Sequence, residues 1–148
     1  MSSVSLTVCN LPETGAGTQE EILRYLADAC SGGREEVGDL LAEAAIAREE
    51  SVSTLLENGL AVPHARTGVL NKIAVAAAFV PHGIAWPEEA NRAELVLFLG
   101  VPSALVTEYL ALIRHLILWY KHLPAGAKQS LLGNAARLRE ELQHVIDR

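Results

Sequence analysis

Cysteine is scarce in this chain. Only Cys9 and Cys30 occur, with no C-x-x-C pair and no signal-peptide pattern in the opening MSSVSLTVCN. The expectation is two reduced, buried thiols in a cytoplasmic protein, a compartment in which a disulfide between them would be rare. A basic stripe is missing as well. The twelve Lys and Arg are scattered singly in a chain of net charge −6, so nothing is arranged to neutralise a phosphate backbone and no nucleic-acid partner is expected. No segment suits a bilayer. The longest apolar stretch, ALVTEYLALIRHLILWYKH (104–122), carries Glu108, Arg114 and His115 inside it, at a cost a spanning helix would not meet. At period seven its polar residues fall at 107/108, 114/115 and 121/122, one narrow wet stripe on an otherwise buried helix.

What is present is a globular composition: half the residues are apolar and a fifth are charged. A chain of 148 residues folds as one domain and buries about two thirds of its unfolded surface. No solenoid repeat or low-complexity linker divides it, so residues 1–148 are read as a single domain. SVSLTVC alternates and is β-branched, the pattern of a first strand. Thr18, followed by Gln19, Glu20 and Glu21, has the form of an N-cap with an acidic first turn. Ile22, Leu23, Leu26, Ala27 and Cys30 then hold one helical face until SGG ends it.

In REEVGDLLAEAAIAREE, the residues Val37, Leu40, Leu41, Ala44 and Ala45 share a face. Arg48 follows Val37 by eleven residues, about three whole turns, which places it on that apolar meridian. A guanidinium aimed at a core must find an anion or a set of carbonyls; a structural ion pair would satisfy it as well as a ligand would.

GLAVPH, KIAVAAAFV and AELVLFLGV are apolar runs of strand length without polar alternation. Strands of that kind are buried on both faces and need helices above and below them. The helices on offer are the two just described, the long one from 104, and NAARLREELQHVI, with Ala135, Leu138, Leu142 and Val145 on one side. The expected fold is therefore a three-layer α/β/α sandwich. VPHGIAWPEEANR is too short for a helical crossover and predicts an antiparallel or mixed element.

Pro63 cannot donate to a sheet ladder, so the strand GLAV should end there and leave His64 just past its carboxyl end. Ligands bind at that edge in open α/β sheets. An imidazole there can be a general base, a metal ligand, a nucleophile toward phosphorus, or a surface ring. No second His, Cys or acid stands at ligand spacing from His64, so no metal is expected. No cofactor is expected either. His82, His115, His122 and His144 are isolated, and His115 and His122 fall on the wet stripe. No G-x-S-x-G elbow is present to support serine hydrolysis. Arg48, Ser53, Thr54 and His64 remain. Guanidinium and hydroxyl donors beside an imidazole suit the oxygens of a phosphoryl group carried on the ring.

The span AREESVSTLLENGLAVPHARTGVLNKIAVAAAF resembles the active-site region of the fructose, mannitol and nitrogen-regulatory (type 2) enzyme IIA domains of the phosphoenolpyruvate-dependent phosphotransferase system. Their motif runs R-E, then S-T-G-I-G-x-G-(I/V)-A-(I/V/L)-P-H-(A/G), with VLNK soon after. GIAWPEEANRAELVLFLGVP and EYLALIRHL follow in the family's order, so the likeness covers about residues 20–145.

The resemblance implies a mixed, roughly five-stranded sheet within the sandwich. It implies a cytoplasmic phosphoryl carrier that accepts phosphate from HPr on His64 and passes it to an enzyme IIB cysteine, or holds it as a regulatory state read by a target protein. Arg48, Ser53 and Thr54 match the family's arginine and S-T pair. The sequence departs from the motif at Leu55 and Glu57, which stand where glycines are expected. Glu57 pointed at the ring would repel an incoming phosphoryl group, and the altered loop supports a second reading, a non-catalytic regulatory or interaction module of the same fold. Tyr109 stands where many relatives have a histidine; it can donate from its hydroxyl or serve as a core ring. Trp119 and Tyr120 near the end of the long helix offer an apolar surface that could join two copies.

Overall fold

The computed structural model describes residues 4–9 and 17–148. Strand β1 (Val4–Cys9) is followed by helices α1 (Gln19–Cys30) and α2 (Glu35–Ser51), short strands β2 (Leu60–Ala61) and β3 (His64–Thr67), and long strands β4 (Ile73–Ala85) and β5 (Arg92–Pro102). Helices α3 (Val106–Lys121), α4 (Ala125–Leu132) and α5 (Ala135–Ile146) complete the chain. The sheet is mixed and five-stranded: β1 runs parallel to β4, β4 antiparallel to β5, and β2 and β3 both parallel to β5. The expected α/β/α sandwich is the observed one, and the antiparallel element predicted after residue 80 is the β4–β5 hairpin.

Period-two alternation divides the sheet between two cores. Ile73, Val75, Leu95, Leu97 and Leu99 face α3 and α5. Ala74, Ala76, Ala78, Val96 and Phe98 face α1 and α2, where the small alanines let the helices sit close. Most of these side chains have no measurable exposure, and each large one contributes about 1.5–3 kcal/mol by leaving water.

Helix α1 begins as its sequence predicts. Thr18 Oγ1 accepts from Glu21 N at 3.2 Å, and Glu21 Oε1 accepts from Thr18 N at 3.1 Å and Gly17 N at 2.8 Å, closing a capping box. The Gly17 N–H first, and then Thr18, hold the Glu21 carboxyl below its ordinary value.

Several expectations are corrected. In α2 the buried residues are Val37, Gly38, Leu41, Ala42, Ala45 and Glu49, while Leu40, Ala44 and Arg48 are exposed. The inward meridian thus lies about one residue from the predicted one, and Glu49, not Arg48, points into the protein. His64 does not stand beyond a strand end: Val62 and Pro63 interrupt the edge strand and His64 opens its second segment. KIAVAAAFV continues through Ala85, since a bulge between Phe79 and Ile84 lets the pairing resume. Trp119 and Tyr120 offer no surface; both are buried, and Trp119 Nε1 donates to Glu141 Oε1 of α5 at 3.3 Å. The wet side of α3 is wider than a narrow stripe, because Leu110 and Leu118 are exposed too. Cys9, ending the outermost strand, is only half-buried. Ser3, at the head of the predicted strand SVSLTVC, lies outside the described residues. Helix α4 has no counterpart among the sequence expectations.

Candidate functional site

The segment from Leu55 to His64 is shaped by a tight turn. Leu55 bridges Ala61, Leu56 N donates to Leu60 O at 2.8 Å, and Gly59 N donates to Leu56 O at 3.1 Å. Gly59 takes φ +89 with the Glu94 side chain packed against it, a backbone that a side-chain-bearing residue rarely adopts. The one glycine kept from the family's loop therefore stands where a glycine is required. Glu57 sits exposed in the turn.

Alternation persists across Pro63. Leu60 and Val62 face the α3–α5 core, Ala61 and Ala65 face the α1–α2 core, and His64 and Arg66 thus share the α3 side of the edge strand. β3 is held to β5 in the register His64↔Leu99 to Thr67↔Pro102, with Leu99 N donating to Pro63 O at 3.0 Å. This rail fixes where the half-buried His64 stands.

His64 Nδ1 lies 3.1 Å from Val62 O. A carbonyl can only accept, so Nδ1–H is the donor and Nε2 of the neutral ring keeps its lone pair. The ring meets that of Tyr109, in the first turn of α3, with centroids 5.6 Å apart and planes tilted by 44°.

A cleft of about 320 Å³ opens here, lined by Ala44, Arg48, His64, Ala65, Arg66 and Tyr109. It lies at the rim of the sheet, where the end of α2 and the start of α3 flank β3. No carboxylate lines it, although the chain has eighteen acidic residues against twelve basic ones. Arg48 Nη1 donates to Val52 O at 3.4 Å. Among the described residues the only ion pairs are those of Arg24 with Glu20 and Glu43, so both cleft guanidiniums lack a counter-ion there.

Of the residues singled out in the sequence, the structure brings His64, Arg48 and Tyr109 together. Ser53 and Thr54 are not among the residues that line their cleft. Ser53 lines a separate cleft with Glu49, Glu50 and Trp86, and its Oγ accepts from Leu55 N at 3.1 Å. Thr54 N donates to Glu49 Oε1 at 3.0 Å, which turns the chain toward Trp86 as it leaves α2; Thr54 Oγ1 is buried without a partner among the described residues. Glu57 is absent from the His64 cleft, so the expected repulsion has no geometric basis. Arg66 is a cleft residue that the motif does not pick out, and its spacing of two from His64 on a strand is the available signal. No group of His, Cys, Asp or Glu among the described residues is placed to hold a metal ion.

The family model for the phosphoenolpyruvate-dependent sugar phosphotransferase system, EIIA 2, matches residues 9–129. No curated protein matches the sequence. Among solved structures, the nitrogen regulatory protein IIA-Ntr from Neisseria meningitidis aligns with a TM-score of 0.70 at 19% identity, covering 94% of this chain and 92% of that one. IIA mannitol from Escherichia coli gives 0.68 at 23% identity, covering 86% and 90%. Enzyme IIAMTL from Escherichia coli, in its complex with phosphorylated enzyme IIBMTL, gives 0.66 at 22% identity, covering 87% and 90%. At these identities the likeness is one of fold.

Proposed function

Since the chain belongs to the EIIA 2 family of the phosphoenolpyruvate-dependent sugar phosphotransferase system, we propose that it is a phosphoryl carrier whose acceptor is Nε2 of His64. The observation that carries this reading is the free Nε2 lone pair beside Arg48 in a cleft without carboxylates. A nucleophile toward phosphorus needs an unprotonated nitrogen, an open approach and a cation to gather the phosphoryl oxygens.

In the proposed step the Nε2 lone pair attacks phosphorus of phosphorylated HPr. The Nε2–P bond forms as the donor's P–N bond breaks, and its electron pair returns to the donor ring. The Nδ1 proton stays on His64, and the Val62 carbonyl takes up part of the positive charge that develops on the imidazole. Arg48 faces the phosphoryl oxygens, and Tyr109 bounds the ring on the α3 side. There is little covalent work for the protein beyond placement and charge, as phosphoryl transfer requires. The phosphoryl group then passes to an enzyme IIB, as the IIAMTL–IIBMTL complex suggests by its composition, or persists as a regulatory state. Ser53 and Thr54 have no part in this scheme. The alternative of an inactive module depends on the changed loop, and with Glu57 outside the cleft no specific observation favours it.

The test is incubation with phosphoenolpyruvate, enzyme I and HPr, followed by intact mass measurement. One acid-labile phosphoryl group is expected on the wild type and none on His64→Gln, with both proteins melting alike. Absence of the adduct on wild type with cognate partners would overturn the reading.

A further inference from the structure

Arg66 stands two residues beyond His64 on the same side of β3 and lines the same cleft, and its side chain has no ion pair or hydrogen bond among the described residues. We propose that Arg66 is a second oxyanion-binding residue, which with Arg48 clamps the phosphoryl group on His64; the proposal rests on the carrier reading above.

Position is the first argument. Residues i and i+2 of an extended strand are about 6.6 Å apart, a span that an arginine covers with its own stem. His64 and Arg66 are both pinned by pairing to β5, opposite Leu99 and Val101, so this offset is built into the sheet and does not depend on a loop.

Charge is the second. Two guanidiniums opening on one cleft repel each other unless an anion lies between them. In a protein of net charge −6 neither has been given a carboxylate. Tyr109 brings a ring to the cleft and no cation. A phosphoryl group on imidazole carries up to two negative charges spread over three oxygens, and Arg48 alone would leave part of that charge without a donor. Arg66 matches it, and its planar fork can engage two phosphoryl oxygens at once where an ammonium cannot.

Two donors separate this role from its competitors. Phosphorylated HPr must dock on the protein, whereas phosphoramidate has no docking surface; with it the Nε2–P bond forms as the P–N bond breaks, and the bond's electron pair leaves on the already protonated nitrogen of the zwitterion as ammonia. Arg66→Gln is expected to slow phosphoryl uptake from both donors by about tenfold, the scale of one charge-assisted hydrogen bond. Arg66→Lys should recover part of that loss, and neither change should move the melting temperature of the unphosphorylated protein.

A loss confined to a raised KM for HPr, with phosphoramidate uptake unchanged, would overturn the proposal and make Arg66 a docking residue. Uptake equal to wild type with both donors would overturn it while leaving the carrier reading intact. A wild type that takes phosphate from neither donor removes both.

Discussion

Trp86 donates its indole Nε1–H to Glu49 Oε1 at 2.9 Å, tying the end of α2 to the turn of the β4–β5 hairpin. Both side chains are buried, and Glu49 Oε2 has no partner among the described residues. Removing the indole donor leaves a buried carboxylate with the Thr54 N–H alone. Trp86→Phe should therefore cost about 1.5–3 kcal/mol and lower the melting temperature by about 3–12 °C. Glu49→Gln keeps an acceptor for both donors and should cost less. Calorimetric melting of the two variants checks the order, and a Trp86→Phe protein melting with wild type would show that the bond adds nothing.

Contact between the rings of His64 and Tyr109 predicts a split between two substitutions. If the ring steadies the imidazole, Tyr109→Phe keeps that contact and should accept phosphate from HPr within about twofold of wild type. Tyr109→Ala should be slower by about 2- to 12-fold, the equivalent of an aromatic pair worth about 0.5–1.5 kcal/mol. A Tyr109→Phe variant as slow as Tyr109→Ala would give the role to the hydroxyl instead.

The cleft is partly legible in the sequence because its parts obey local rules. Pro63 cannot sit mid-ladder, and that break marks His64 beside it. Periodicity points to Arg48 for a reason the structure corrects: at 100° per residue, counting Leu40 and Ala44 as inward rotates the assumed face away from the true one. The inward residue is Glu49, and its reason for being there, Trp86, lies 37 residues further along the chain. No local pattern shows a bond of that span. Ser53 and Thr54 look suitable by proximity to Arg48 in sequence, but Ser53 lines another cleft and the Thr54 N–H is tied to Glu49. Trp119 and Tyr120 are misplaced by sequence alone because a helix face on α3 can be assigned only once α5 is known to cover it. The sheet, by contrast, is readable from unbroken apolar runs, since burial on both faces leaves no room for polar residues.

Alkaline pH should destabilise the protein through two buried groups. Burial pushes the Cys30 thiol up to about 12 and the Tyr120 phenol, also chiefly by burial, up to about 12. In the unfolded chain these ionise near their ordinary values of about 8.5 and 10. Between those values and 12 the folded state holds more protons than the unfolded one, so stability falls as pH rises. Urea midpoints should be level below about pH 8.5 and decline toward about pH 12, and Cys30→Ala should make that decline shallower. In the native protein at neutral pH, Cys9 should react with a thiol reagent before Cys30, whose Sγ–H donates to Ala74 O at 3.6 Å. A flat stability profile up to about pH 11 would count against both assignments.

Gly83 offers the sharpest backbone test. It takes φ +74 at the bulge of β4, and a Cβ placed on it would come within 2.8 Å of Arg92 Cβ. Neither atom can swing away, because each is fixed to its own backbone, and Arg92 is held by hydrogen bonds from its guanidinium to His82 O at 3.2 Å and Gly83 O at 3.0 Å. The left-handed conformation alone costs an L-residue about 1–2 kcal/mol, and the clash adds to it, so Gly83→Ala should lose about 2 kcal/mol or more. Gly126 in α4 has an ordinary φ, and a methyl group added there would meet nothing within 4 Å. At that position the same change exchanges glycine for the best helix former and should be neutral or stabilising by up to about 1 kcal/mol. Denaturant unfolding of the two variants side by side measures the difference, and equal midpoints would mean that the bulge relaxes at no cost.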